Sequence, residues 1–245
     1  MRPRNTGVPL VERGAFIVVE GIDGSGKTTQ CSLLAEYLRT IHGLTVESLR
    51  DPGASPLGEH LRTILKDPNV AMSPVTQALL FSASRQSLSE LILEKLKAKT
   101  TVIVDRWVLT TMAQQGIEGV HPTWSAGLYL GPAGYLRPDM TVLLKVDPDV
   151  ARSRLTDNRP PDRFDQRDAG WFERLSRSYL GPASTIYGRA TGSPVQIIDA
   201  SGGLEAVHDG LITRLLRYPW ADELRRRDGR DMLQPAAPAP CAGGG

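Results

Sequence analysis

The feature that most restricts the fold of this chain is the segment GIDGSGKT at positions 21–28, which directly follows the apolar run FIVVE at positions 16–20. The segment matches the pattern G-x-x-x-x-G-K-[ST], and the run before it has the composition of a buried strand. In this pattern a glycine-rich turn joins a strand to a helix, and its backbone N–H groups converge on an anion. The pattern therefore predicts an α/β fold with a phosphate-binding loop, or P-loop, at residues 21–28.

Four further apolar runs of strand length recur along the chain, separated by longer amphipathic stretches. Such runs suit strands that are buried on both faces of a parallel sheet, and the stretches between them are long enough for helical crossovers. We therefore predict an α/β P-loop NTPase fold, with a five-stranded parallel sheet in the order 2-3-1-4-5 and helices on both faces. The strands are expected at 16–20, 45–49, 101–105, 140–146 and 195–199, and the helices at 27–40, 57–66, 74–97, 108–115, 148–155, 168–189 and 204–216.

The charge balance and the apolar runs exclude several classes of protein. Twenty-nine Lys and Arg residues stand against 27 Asp and Glu residues, so no basic field marks a nucleic-acid binder. No apolar run approaches the roughly 20 residues of a membrane helix, and the N-terminus does not resemble a secretory signal. We therefore expect a cytoplasmic protein without nucleic-acid or membrane partners.

Composition also predicts the limits of the folded domain. We expect a flexible N-terminus at residues 1–14 and a single P-loop domain at residues 15–217. Residues 218–245 end in a stretch of Pro, Ala and Gly that lacks the apolar residues needed for a core, so this tail is expected to be disordered.

The P-loop and one later carboxylate predict a site for ATP and Mg²⁺. Lys27 is expected to reach the β- and γ-phosphates, and the Thr28 hydroxyl to ligate Mg²⁺. Asp105 ends a buried strand and is expected to hold or orient the water shell of the metal. The residues predicted to bind ATP are Gly21, Ile22, Asp23, Gly24, Ser25, Gly26, Lys27, Thr28 and Thr29.

A P-loop is shared by kinases, GTPases and motor ATPases. The N-K-x-D motif of guanine-specific switches is absent, since none of the asparagines at positions 5, 69 and 158 is followed by lysine. A GTPase switch is therefore excluded, while an enzyme and a non-catalytic nucleotide-binding regulator stay open.

Three arginines predict a second anion site next to the first. Arg50 follows the second strand, Arg106 follows the third strand, and Arg62 lies on the helix after Arg50. Open α/β sheets bind their ligands at the carboxyl ends of the strands, and arginine is well suited to phosphate. This arrangement is typical of an enzyme that passes a phosphoryl group from ATP to an acceptor that is itself a phosphate.

Six segments taken in order resemble the landmarks of the thymidylate kinase family, over residues 15–216. They are the P-loop with Thr29, RDPGASPLGE at 50–59, LLFSASR at 79–85, DRWVLTTMAQQG at 105–116, PDMTVLLKVDP at 138–148 and DRFD at 162–165. The resemblance implies the reaction of ATP with dTMP to give ADP and dTDP, by direct in-line transfer with Mg²⁺. It also implies a homodimer.

The resemblance assigns roles to residues of the acceptor site. It implies that Arg106 and Arg50 hold the acceptor phosphate, with Arg62 as a further contact, and that Asp23 lies near the sugar 3′-hydroxyl and magnesium. On the base, it implies that Phe81 stacks on thymine and Arg85 binds a pyrimidine carbonyl, with Thr111 and Gln115 on the opposite edge.

The resemblance also places a lid at about residues 154–165, where these kinases close a mobile segment over ATP and exclude water. Within it Arg163 fits the pattern D-R-[FI]-E and Arg159 fits loosely. Because Gly24 stands where some relatives have a P-loop arginine, the catalytic cation is expected to come from this lid.

Four residues depart from the family pattern. Asp51 replaces the usual Glu of R-E-P-G, Trp107 the usual Tyr of D-R-Y, Leu109 a usual Asp, and Gln114 a usual Tyr that packs near the sugar. These departures concern the sugar and the base rather than the phosphates. A kinase for another or modified pyrimidine nucleoside monophosphate therefore stays open as an alternative.

Overall fold

The computed structural model describes residues 13–130, 136–155, 163, 169–192, 194–218 and 221. Five parallel strands form one sheet in the order β2-β3-β1-β4-β5, which confirms the predicted topology. The strands are β1 (Phe16–Glu20), β2 (Val46–Arg50), β3 (Thr101–Asp105), β4 (Met140–Lys145) and β5 (Val195–Asp199). The helices are α1 (Lys27–Thr40), α2 (Pro56–Lys66), α3 (Pro74–Lys97), α4 (Val108–Ile117), α5 (Pro122–Leu130), α6 (Pro148–Ser153), α7 (Ala169–Leu180), α8 (Pro182–Thr191) and α9 (Leu204–Leu215).

The central strands are buried because helices cover both faces of the sheet. All five residues of β1 are buried, as are the first five of β4. Helices α1 and α9 pack together on the sheet, and α3, α4 and α7 form a second packed set against β3 and β4. Burial on both faces explains why these strands are continuously apolar rather than alternating.

The structure corrects one of the predicted helices and adds one that was not predicted. The single helix expected at 168–189 is two helices, α7 and α8, which Gly181 separates. Pro182 begins α8, where its missing N–H costs no hydrogen bond. Helix α5 was not predicted at all, because its sequence contains Gly127 and shows no apolar stripe at helical spacing.

The packed part of the chain reaches slightly beyond the expected limits at both ends. Arg13 forms a salt bridge with Asp139 at 2.5 Å, and the Gly14 N–H donates to the carbonyl of Leu96 at 3.0 Å. Ala221 is fully buried and donates its N–H to the Tyr218 carbonyl at 2.9 Å. The predicted flexible residues 1–12 and most of the predicted tail lie outside the described residues. Within the described ranges, no helix has the length and hydropathy to cross a membrane.

Candidate active site

The P-loop connects β1 to α1 at the carboxyl edge of the sheet, as the sequence predicts. Lys27, the first residue of α1, is buried and donates from Nζ to the Ile22 carbonyl at 2.7 Å. The same Nζ lies 4.0 Å from the Asp23 carboxylate. Burial, and then the charge of Arg106, lowers the pKa of Lys27. The ammonium group is thus fixed inside the loop that would receive the phosphates.

At Gly24 the loop passes close to the neighbouring helix α6. The φ of Gly24 is +79°, and a Cβ built there would lie 2.0 Å from the Ala151 carbonyl oxygen in α6. Real Cβ atoms do not approach backbone oxygen so closely, so only glycine fits. Helix α6 therefore fixes the shape of the P-loop from outside.

Thr28 and Asp105 meet as the sequence predicts for a metal site. The Thr28 hydroxyl donates to Asp105 Oδ2 at 2.6 Å, and this bond connects the beginning of α1 to the end of β3. The other carboxylate oxygen, Oδ1, is buried, and no described residue donates a hydrogen bond to it. Hydroxyl and carboxylate oxygens are the ligands that Mg²⁺ prefers, so this pair fits the ion.

Arg106 lies beside the P-loop at the end of β3. Its Nη1 donates to the Gly21 carbonyl at 3.2 Å, and its Nη2 forms an ion pair with Asp23. Burial opposes the charge of this guanidinium, but the neighbouring carboxylates of Asp23, Asp105 and Glu20 outweigh burial and raise the pKa of Arg106. A permanently charged cation therefore lies within contact of the phosphate cradle.

The other two arginines of the predicted acceptor site border the same space. Arg50 pairs with Glu59 at 3.2 Å and is about half exposed. Arg62 on α2 donates to the Pro52 carbonyl at 3.0 Å. A cleft of about 660 Å³ joins these arginines to the P-loop and to Arg106. Its lining also includes Asp23, Gly24, Gly26, Lys27, Thr28, Thr29, Asp51, Asp105 and Leu155.

Arg85, the predicted base-binding arginine, is buried behind this cleft and firmly held. Its Nε donates to Asp51 Oδ2 at 2.7 Å, and its Nη2 donates to the Thr111 hydroxyl at 2.9 Å. The guanidinium carbon lies 5.6 Å from the ring centre of Trp107. In the described part of the chain, Nη1 has no hydrogen-bond acceptor. Protein groups therefore hold Nε and Nη2 of the guanidinium in place, but not Nη1.

The remaining predicted base residues lie on the helices next to Arg85. Phe81 on α3 is 4% exposed, and Gln114 and Gln115 on α4 are buried. Gln115 donates from Nε2 to Gln77 Oε1 at 3.3 Å. Its own Oε1 is buried and accepts no hydrogen bond from the described residues. The structure therefore brings Phe81, Arg85, Thr111 and Gln115 to the facing sides of α3 and α4.

The structure does not place Arg163, one of the two predicted lid arginines, at the phosphate cradle. Arg163 donates from Nε to the Leu65 carbonyl at 3.1 Å and from Nη2 to the Asp67 carbonyl at 2.6 Å. It also donates to the Val70 carbonyl, so its guanidinium lies at the C-terminal end of α2. Arg159 and most of the predicted lid fall outside the described residues.

Sequence reasoning did not single out Glu20. It is completely buried at the end of β1, and burial raises its pKa from an ordinary 4.5 to about 7. The available signal was a single carboxylate that ends an otherwise apolar strand immediately before Gly21. Tyr179 on α7, which lies near Glu20, gave no comparable signal.

The fold and this site are those of a P-loop phosphotransferase. A family profile described as thymidylate kinase matches residues 19–211. The thymidylate kinase of Bordetella petrii is 37% identical over 195 residues, which cover 78% of this chain and 90% of the relative. That of Chromobacterium violaceum is 35% identical over 84% of this chain and 96% of the relative. That of Nitrosospira multiformis is 38% identical over 80% of this chain and 93% of the relative. The chain belongs to the thymidylate kinase family.

Proposed function

We propose that the chain transfers the γ-phosphoryl group of ATP to the 5′-phosphate of dTMP, which yields ADP and dTDP. The observation that carries this proposal is the single cleft in which the P-loop faces Arg50, Arg62 and Arg106. Lys27 in the P-loop suits the triphosphate of the donor, and the three arginines suit an acceptor that is itself an anion. Both substrates thus bind in one space, so direct in-line transfer needs no covalent intermediate.

Lys27 and Arg106 would stabilise the charge that shifts during transfer. Lys27 Nζ is fixed at the β- and γ-phosphate end of the cradle, and Arg106 lies on its acceptor side. Asp23 contacts Arg106 and lies 4.0 Å from Lys27, so it keeps these two cations apart and oriented. Cations that are held in place before the reaction stabilise developing charge without further reorganisation.

The residues that would hold Mg²⁺ are Thr28 and Asp105, which already share a hydrogen bond of 2.6 Å. When bound, the ion neutralises charge on the transferring phosphate. Thr28 would supply a direct ligand, and Asp105 would orient the water shell through its buried Oδ1. Asp105 also precedes Arg106 in the sequence, so the metal site and the arginine for the acceptor phosphate lie at the same end of β3.

Two side-chain atoms support thymine as the base. A 4-oxo pyrimidine presents an acceptor at O4 and a donor at N3, whereas cytosine presents the reverse pattern. Arg85 Nη1 is a donor, and Gln115 Oε1 is a buried acceptor without a partner among the described residues. Leaving such a group unpaired is costly, which disfavours a base that cannot donate to it. We therefore favour dTMP over a cytidine nucleotide.

A coupled ADP-release assay over dTMP, dUMP, UMP, dCMP and dAMP tests the proposal. We expect the highest kcat/KM for dTMP and strong discrimination against dCMP. ATP binding without turnover on any of these acceptors would instead indicate a non-catalytic regulator. Faster turnover with a different pyrimidine would support the alternative of a modified acceptor.

Arg106→Ala in the same assay tests how the cleft is divided between the two substrates. We expect a KM for dTMP at least tenfold higher, with little change in ATP binding, because the lost contact is to the acceptor. An ATP-binding defect with unchanged acceptor affinity would reverse the proposed role.

Three further expectations, from the resemblance and from the composition, stay predictions. A homodimer is tested by light scattering of the purified chain, and the cytoplasmic location by cell fractionation. Gln114 is expected to lie near the acceptor sugar, so Gln114→Tyr should increase the ratio of kcat/KM for dUMP to that for UMP.

A further inference from the structure

The carboxylate of Glu20 joins the end of β1 to the beginning of α4. Its Oε1 accepts from the Trp107 N–H at 2.8 Å and from the Thr110 N–H at 3.3 Å. Trp107 is the N-cap residue of α4, and its own side chain makes no capping hydrogen bond. A carboxylate at a helix N-terminus satisfies free N–H groups and matches the helix dipole. Glu20 therefore caps α4 from a different element of the fold.

Arg106 belongs to the turn between β3 and α4, and two hydrogen bonds join the backbone of this turn to β1. The N–H of Arg106 donates to the Val19 carbonyl at 2.9 Å, and the next N–H along the chain donates to Glu20. Its φ is +73°, a left-handed conformation that a non-glycine residue keeps only when its surroundings enforce it. The two adjacent hydrogen bonds to β1 supply that enforcement. The backbone of Arg106 thus depends on the Glu20 carboxylate.

The Glu20 carboxylate also directs the proton of Thr110. Its Oε2 accepts from the Thr110 hydroxyl at 2.5 Å, so this hydroxyl turns its proton away from Arg106. The hydroxyl oxygen is then the acceptor for Tyr179 Oη at 2.7 Å and for Arg106 Nη1 at 3.4 Å. Arg106 Nη1 also lies 3.5 Å from Tyr179 Oη. One buried carboxylate therefore sets the direction of the hydrogen bonds among the Thr110 hydroxyl, the Tyr179 hydroxyl and Arg106 Nη1.

The charged and titratable groups around Glu20 are Arg106, Lys27 and Tyr179. Arg106 lowers the pKa of Glu20, whereas burial raises it more strongly, to about 7. The charge of Glu20 in turn weakly opposes the lowering of the Lys27 pKa and, after burial, contributes to the raised pKa of Tyr179. Protonation of Glu20 would let the carboxyl donate to Thr110 and reverse the hydroxyl beside Arg106.

We propose that Glu20 is a positioning residue, which holds Arg106 in the conformation that binds the acceptor phosphate. This inference rests on the proposed function, because it assumes that Arg106 binds the phosphate of dTMP. Glu20 itself does not line the cleft, so it acts through the α4 N-terminus and the Thr110 hydroxyl.

Steady-state kinetics of three variants test this role. Glu20→Ala removes the cap and the acceptor for Thr110, and we expect the KM for dTMP to rise at least tenfold while the KM for ATP stays within twofold. Glu20→Gln keeps an acceptor for the two N–H groups but donates to Thr110, so we expect a smaller rise of three- to tenfold. Thr110→Val removes only the hydroxyl and is expected to resemble Glu20→Gln.

The pH profile separates positioning from a purely structural role. In the parent protein we expect the KM for dTMP to rise as the pH falls through about 7, where Glu20 becomes protonated. In Glu20→Gln, the KM for dTMP should no longer change near pH 7. It should change only near pH 6, where the substrate phosphate is protonated. A merely structural glutamate would leave the two profiles parallel.

Thr141→Val is the matched control, because Thr141 is a buried threonine of the neighbouring strand β4 whose hydroxyl pairs with Tyr187 at 2.9 Å. We expect it to leave both KM values within twofold. The proposal is overturned if Glu20→Gln and Thr110→Val raise the two KM values in parallel, or leave both unchanged. If Glu20→Ala does not fold, these two milder variants decide. Absence of dTMP turnover in the parent protein would contradict the proposed function instead.

Discussion

Arg85 and Asp51 form a completely buried ion pair, with Nη2 of the arginine 2.6 Å from Oδ2 of the aspartate. Asp51 directly follows β2, and Arg85 lies in the middle of α3, so the pair fixes the end of a strand to a helix. Burial raises the pKa of Asp51, and the charge of Arg85 counteracts this effect. The family resemblance marks Asp51 as a departure from glutamate, and the structure shows what this shorter side chain contacts.

Asp51→Ala is expected to destabilise the fold by about 3 kcal/mol, because it leaves the buried charge of Arg85 without a partner. Urea denaturation followed by circular dichroism measures this change. Glu173→Ala is the control, because it breaks an exposed pair with Arg177 at 3.0 Å and should cost only about 0.5 kcal/mol. Equal effects of the two substitutions would show that Arg85 finds another partner.

Lys27→Ala is expected to lower kcat at least 100-fold while the chain stays folded. The substitution removes a fixed cation from the transferring phosphate, and such groups contribute several kcal/mol to transition-state stabilisation. Lys97→Ala, at the exposed C-terminal end of α3, serves as the control for a lost lysine charge. Retention of most of kcat with an unchanged melting temperature would contradict the assignment of the P-loop.

Arg163→Ala is expected to lower kcat more than the affinity for dTMP, as the proposed role of a lid arginine requires. The contacts of Arg163 with carbonyl groups at residues 65, 67 and 70 add a second expectation, a loss of about 2 kcal/mol of stability. Kinetics and thermal melts of the same variant separate the two effects. A lower melting temperature with parental kinetics would mean that Arg163 only anchors the end of α2.

Glu20 is expected to make the stability of the fold depend on pH. Its pKa is higher in the folded chain, at about 7, than in the unfolded chain, near 4.5, so the folded state binds its proton more tightly. The resulting stabilisation is present at low pH and is lost as the pH rises through this interval. Between pH 5 and pH 8, the parent protein should therefore lose about 2 kcal/mol relative to Glu20→Gln. Urea denaturation of both proteins at the two pH values measures the difference, and parallel curves would contradict the raised pKa.

The number of strands could be predicted from local signals, because each strand is a short apolar run. Their order could be predicted only because the P-loop identifies β1 and the class of fold, since apolar runs do not specify which strands are neighbours. The phosphate cradle was predictable because Lys27 and Thr28 belong to one continuous motif. Helix α5 was not predictable from local signals, because it packs against α3, α4 and α8, and these contacts arise only in the folded chain.

The contacts between distant residues could not be derived from the sequence. Glu20 meets Thr110 across 90 positions, and Arg85 meets Asp51 across 34. No periodicity or motif links such pairs, because the sheet order and the helix positions bring them together only in three dimensions. The sequence predicted that Arg106 faces a phosphate, but the residue that fixes its conformation became visible only in the fold.

The close approach of Gly24 to the Ala151 carbonyl limits how this enzyme can change. An arginine at position 24 would need both an unfavourable backbone conformation and the space that α6 now fills. A single substitution therefore cannot move a catalytic cation into the P-loop, because the helix that leads toward the predicted lid would have to shift at the same time. The identity of this loop residue and the placement of α6 therefore constrain each other, and directed evolution would have to alter them together.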